Sequence, residues 1–185
     1  MMKIFIGGSR KISRLNEAIR NRLNNIISKK FIVLIGDANG ADKAVQNFFY
    51  GSNYAEVFVY CSGSTCRNNI GDWRTINVEA PSNAKGLKFY MIKDSKMSED
   101  ADYGFMLWDG KSTGTINNIL NLLKQKKKGL VYFSPKKDFY SISRIKDLKF
   151  LLNLCDNKNI EKINKKINLS NIINELSFPR QKSLI

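Results

Sequence analysis

Residues 108–119 read WDGKSTGTINNI. Within this stretch Gly110 and Gly114 allow backbone geometry and close approach that side chains forbid. Ser112, Thr113 and Thr115 add hydroxyls, and Lys111 adds a positive charge. The apolar positions Ile116, Ile119, Leu120 and Leu123 then recur at helical spacing, so the cluster stands where a helix begins. The first amides of a helix lack internal acceptors and carry the positive end of its dipole. Such a corner holds a phosphate well. Capping by Thr113 or Thr115 accounts for one hydroxyl, but not for two glycines, three hydroxyls and a lysine together. Asp109, at the end of the preceding apolar run, and Asn118, one turn into the helix, are placed to hold a ribose.

Three further corners have the same character. The first is Gly7, Gly8, Ser9 and Arg10, where an arginine suits a bidentate phosphate contact. The second is GDANGAD, residues 36–42, in which Gly36 and Gly40 flank a turn, Asp37 lies between them, and Asn39 or Asp42 could cap a helix. The third is CSGSTCR, residues 61–67. No GxGxxG fingerprint and no GxxxxGK[ST] loop is present, so neither dinucleotide fingerprint nor P-loop applies.

The elements that must position these corners can be read from hydrophobic pattern. KIFIGG, FIVLIG, EVFVYC, YGFMLW and LVYF are five strand-like runs, continuous rather than alternating, as strands covered on both faces tend to be. Between them lie helical patterns at Leu15–Ile26, at Ala41–Phe48, at about Ala84–Met97 with Ser82 or Asn83 as cap, and after Thr115. This last helix is expected to end in the lysines 126–128 with Gly129 as its C-cap. Strands alternating with helices argue for an α/β fold, a parallel sheet with helices on both faces. In such sheets ligands sit at the carboxyl ends of the strands, where strand order reverses. All four corners follow strands. Residues 62–83 read as irregular, with Trp73 as the better aromatic for stacking on a base and Trp108 as core. Residues 136–185 form a helical C-terminal tail with two amphipathic stripes around a polar, asparagine-rich link, the second opening at a Ser170 cap. The division expected is residues 1–135 for the α/β unit and 136–185 for the extension.

Composition narrows the chemistry. The chain has 185 residues, no histidine and a formal net charge of +15. Without histidine, Ser-His and Cys-His nucleophile pairs are excluded. Three cysteines, Cys61, Cys66 and Cys155, without a CxxC pair argue against a disulfide framework and against structural zinc. No metal or cofactor is called for. The N-terminus reads as a strand, and no apolar run is long enough for a membrane span, so the expected setting is cytoplasmic, without a membrane partner. The charge is spread along the chain rather than gathered in a stripe. Nucleic acid is therefore a partner to test but not the favoured one. Association with a second copy of the chain stays open.

The segments FIGGSR, GDANGADKAVQNFF and DSKMSEDADYGFMLWDGKSTGTINNI together resemble the SLOG superfamily, closest to its YspA-like branch. The resemblance covers about residues 3–133. It implies a Rossmann-like fold that binds nucleotides or nucleotide-derived ligands. Relatives include the Lonely Guy phosphoribohydrolases, sensors of NAD-derived signals, and single-stranded DNA loaders of the DprA type. The base-cleaving relatives carry PGGxGTxxE, whose glutamate falls on Asn118 here. An asparagine cannot take a proton, so the enzyme reading must find another carboxylate. Asp109 is the first candidate, ahead of Asp42 and Asp94. The expectation is thus a protein that binds a nucleotide-type small molecule. N-glycosidic hydrolysis and single-strand binding are the alternatives.

Overall fold

The computed structural model describes residues 1–81 and 83–178. The chain runs β1 (Lys3–Gly8), α1 (Glu17–Ser28), β2 (Ile32–Gly36), α2 (Ala41–Gly51), β3 (Val57–Ser62), β4 (Arg74–Val78), α3 (Leu87–Asp100), β5 (Tyr103–Trp108), α4 (Thr113–Lys124), β6 (Lys128–Phe133), β7 (Asp138–Ile142), α5 (Ile145–Asn153), α6 (Asn157–Ile167) and α7 (Leu169–Ser177). The sheet order is β4-β3-β2-β1-β5-β6-β7. All neighbours are parallel except β7, which pairs antiparallel with β6. Strand order reverses between β1 and β5, the place where a doubly wound sheet opens a crevice.

Successive residues of the strands face opposite layers. Ile4, Ile6, Val33, Ile35, Phe105 and Leu107 pack with Ile19, Leu23, Val45 and Phe49 of α1 and α2. Phe5, Leu34, Met106, Trp108, Val131 and Phe133 pack with Met97 of α3 and with Ile116, Ile119 and Leu120 of α4. The same second layer continues into the last helices through Leu148, Leu151, Ile163 and Leu169. This is a Rossmann-like α/β fold, covered on both faces, with a helical C-terminal end.

The five strand-like runs are strands, and two more join them. β4 falls in the segment read as irregular, because RTINV is a mostly exposed edge strand with little apolar signal. β7 lies beyond residue 135, so the sheet does not end there. Its DFYSI alternates weakly, and a four-residue turn folds it back on β6. The polar link between the tail's two stripes is itself helical, as α6. Ser170 lies inside α7, whose N-terminal boundary is Asn168, with a left-handed φ of 54° and no side-chain cap. Helix α3 starts at Leu87 behind Gly86, with no side-chain cap. Asn83 therefore caps nothing there, and Ser82 lies outside the described residues. Helix α4 stops at Lys124, and Lys128 and Gly129 already belong to β6. Gly129 is needed for packing rather than capping: a Cβ on it would stand 3.3 Å from the Gly104 carbonyl oxygen.

Candidate functional site

The switch point is clipped by one hydroxyl. Ser9, at the end of β1, donates through its backbone N–H to the Leu107 carbonyl at 2.8 Å. Its Oγ donates to Asp109 Oδ1 at 2.9 Å, accepts from the Asp109 N–H at 3.0 Å, and lies 3.3 Å from Thr115 Oγ1. Ser9 is fully buried. It therefore joins the β1 and β5 corners from below rather than facing the crevice. Asp109 Oδ1 also accepts from the amides of Lys111 and Ser112, at 2.9 and 2.8 Å. That oxygen shapes the corner ahead of α4. Ser112 is the N-cap of α4 and accepts from the Thr115 N–H and hydroxyl. The capping hydroxyl is thus neither Thr113 nor Thr115.

Above this clip lies a cavity of about 1260 Å³. Gly7, Gly8 and Arg10 come from the β1 corner, Ala38 and Asp42 from the β2 corner, and Arg67 from the β3 corner. Asp109, Lys111, Ser112, Thr113, Gly114, Thr115 and Asn118 come from the β5 corner and α4. The four corners therefore meet in one hollow. Helix α3 closes it with Tyr90, Lys93 and Asp94, and the ends of α6 and α7 bring Lys165, Lys166 and Asn168. Ten lysines and arginines line it against three aspartates. A Cβ on Gly114 would meet nothing within 4 Å, so the first turn of α4 opens freely into the hollow. A Cβ on Gly8 would stand 2.6 Å from the Leu107 carbonyl oxygen, so that glycine serves the approach of β1 to β5.

Other residues of the corners hold the walls instead of lining them. Gly36 leaves room for the Asp42 carboxylate and the Lys93 ammonium, which would stand 2.5 and 2.8 Å from a Cβ there. Gly40, at φ 84°, lies against the Arg10 backbone and is itself the N-cap of α2, so neither Asn39 nor Asp42 takes that role. Asp37 is buried and grips Arg67, which donates to it from Nη2 at 2.5 Å, from Nε at 3.0 Å and from its backbone N–H at 3.0 Å. Burial pushes the Asp37 carboxyl up, but these bonds outweigh it and hold it below the usual carboxylate value. Asn39 accepts from Asn68, and buried Gln46 pins the same loop by donating to the Gly36 and Asn68 carbonyls and accepting from the Ile70 N–H. Gly110 takes φ 75° beneath Phe133. Arg67 lies 4.3 Å from the Tyr90 ring centroid and Arg10 lies 5.5 Å from it, so two guanidinium groups face one ring at the mouth.

The floor carries the strongest electrostatics. Lys93 is 3% exposed and donates to Asp94 Oδ1 at 2.7 Å. With its amide nitrogen facing them, Asn118 donates to Asp94 Oδ2 and to the Gly114 carbonyl, both at 3.1 Å. Asn118 therefore orients a carboxylate from α3. Burial lowers the Lys93 pKa, but Asp94 and Asp42 overcome it and keep the lysine charged. Burial pushes Asp42 up to about 6; Lys93 opposes the rise and Asp94 adds to it. Lys93 had a signal in the sequence. It stands at helical spacing between Tyr90 and Met97, and a lysine on a buried helical face needs carboxylates around it.

Both tryptophans are structural. Trp108 is fully buried and donates to the Ser112 carbonyl at 3.2 Å, as its core position implied. Trp73 precedes its strand, so it lies at the opposite sheet edge, where it donates to the Tyr54 carbonyl at 3.0 Å. It cannot stack on a ligand in this cavity. Cys61 and Cys66 are bonded to each other, with Cα atoms 5.0 Å apart. Spacing alone concealed this, because Gly63 at φ 78° turns the chain back on the end of β3.

No family model and no curated protein matches the chain. Among solved structures it is similar to DNA processing protein A from Helicobacter pylori, a structure described for its single-stranded DNA binding mode. The TM-score is 0.53 at 14% identity, covering 70% of this chain and 64% of that one. The likeness establishes a shared Rossmann-like fold.

Proposed function

We propose that this protein binds a phosphorylated, nucleotide-type ligand in the hollow at the β1/β5 switch point. The observation that carries the reading is the first turn of α4. Its Thr113 and Gly114 amides have no acceptor within the helix, Gly114 leaves the approach open, and the surrounding lining is strongly basic. Arg10 and Lys111, from the β1 and β5 corners, line the hollow together with this turn. This role, the cytoplasmic setting and membership of the YspA-like branch of the SLOG superfamily belong to the same proposal.

Calorimetry with nucleoside mono- and diphosphates, NAD and ADP-ribose tests it. Gly114→Glu is the decisive variant. A carboxylate in the first turn favours the helix, so the fold should persist, while the same charge repels a phosphate. Loss of at least about tenfold in affinity, roughly one lost charge-assisted contact, is the expected result. Absence of binding by the whole panel would sink the reading. If free base is released instead, Asp109 is the carboxylate to replace first, because its donors all fall on Oδ1, whereas Lys93 and Asn118 take both oxygens of Asp94.

A second reading, single-stranded nucleic acid, is favoured by the Helicobacter pylori structure and by the charge of +15. It predicts binding that weakens steeply with salt.

A further inference from the structure

The hollow does not end at the first turn of α4. It continues along that helix, past Thr113 and Asn117, to Lys124 in the last turn. These three positions share one face, because four and eleven residues are close to whole numbers of helical turns. Thr113 and Asn117 are 8% and 6% exposed and line the hollow, yet neither side chain has a hydrogen-bond partner among the described residues. Among the described residues the buried side-chain polar atom without a partner is Ser62 Oγ, so the polar atoms of Thr113 and Asn117 keep access to the hollow, where a ligand can meet them.

Lys124 lines the hollow at the far end of α4, and α6, which packs against α4, brings Lys165 and Lys166, followed by Asn168, whose side chain caps neither adjoining helix. Each lysine, taken alone, complements the dipole of its own helix end. That does not explain why lysines from two packed helices all line one hollow. The aspartates that line the hollow come from the β2 corner, α3 and the β5 corner, so this cationic end has no lining carboxylate. Like charges gathered without a counter-charge repel, and an anion between them relieves the repulsion.

We infer that the C-terminal helices complete the site with a second anion-holding station, and that the ligand is a linear chain of more than one nucleotide. One phosphate sits on the first turn of α4, and another reaches Lys124, Lys165 and Lys166. This inference rests on the function proposed above and deepens it. The two stations are the ends of a twelve-residue helix, about 16 Å apart at about 1.5 Å per residue. One stacked strand advances about 3.4 Å per nucleotide, so the gap corresponds to about five steps, which the three steps of a tetranucleotide cover only when its bases are unstacked and the chain extended. Thr113 and Asn117 face the sugar or base edges between.

The test is calorimetry on the full chain with AMP, a 5′-phosphorylated adenosine tetranucleotide, and a long single strand of the same sequence. The tetranucleotide should bind at least about tenfold tighter than AMP, with a steeper salt dependence. In Lys165→Glu/Lys166→Glu that advantage should vanish, and the salt slope should fall by about 1. A charge-matched Arg22→Glu/Lys29→Glu pair on α1, in the layer across the sheet, should leave tetranucleotide binding as it was. Circular dichroism confirms that both variants fold. The long strand separates the sources: a weaker grip on it assigns the site to free short chains, and an equal grip assigns it to a segment within a strand. If AMP binds and the tetranucleotide is no tighter, this inference falls while the nucleotide reading stands. If nothing binds, both fall.

Discussion

Asp42 and Asp37 are neighbouring acids at one corner, and the structure drives them in opposite directions. Asp42 is raised to about 6 from 3.8 by burial, so folding favours its protonated form. Its contribution to stability is therefore complete below about pH 4 and is lost as the pH climbs to about 6. Asp42→Asn removes that loss. Urea unfolding at about pH 4.5 and about pH 7 should show the variant gaining on the unmodified chain, on the order of 2 kcal/mol across the interval. Asp37 is lowered, because the Arg67 bonds outweigh burial, so its contribution is present above its ordinary range and fades in acid. Arg67→Ala would leave that buried carboxylate without its fork of donors, at a cost of about 2–3 kcal/mol at neutral pH. Arg67→Lys keeps the charge but not the fork, and should recover only part of this in thermal unfolding.

At the scale of elements, the clip between β1 and β5 depends on small residues. Ser9→Ala removes a hydroxyl that meets three groups at once, and should lower the unfolding free energy by about 1–2 kcal/mol. Gly8→Ala places a methyl 2.6 Å from a backbone oxygen that cannot step aside, and should cost more, about 1–3 kcal/mol. Both are measured by denaturant titration. The corners themselves were legible in the sequence, because glycines and hydroxyls following apolar runs have few other uses. The strands were legible where both faces are covered. RTINV and DFYSI escaped because an edge or half-covered strand needs little apolar material. Trp73 misled because a polar loop conceals which edge of the sheet it occupies. The division of labour within each corner could not be read at all. Whether Ser9 faces the ligand or the strand beneath is decided by Asp109, one hundred residues away.

At the scale of the whole molecule, the last helices share the second layer's core. Leu148 and Leu151 are fully buried, and Ile163 and Leu169 nearly so. Ending the chain after residue 135 would remove β7 and bare the outward face of α4. The shortened protein should be largely insoluble or bind a hydrophobic dye strongly, and it should not unfold cooperatively.

Residues 4–8 of β1 pair with residues 103–107 of β5, across most of the chain. The two halves of the sheet thus meet along a seam between residues about one hundred positions apart in the chain. The crevice straddles that seam. A chain in which that seam is open has no such crevice. A bound molecule should therefore slow amide hydrogen exchange along both seam strands together, as a single block.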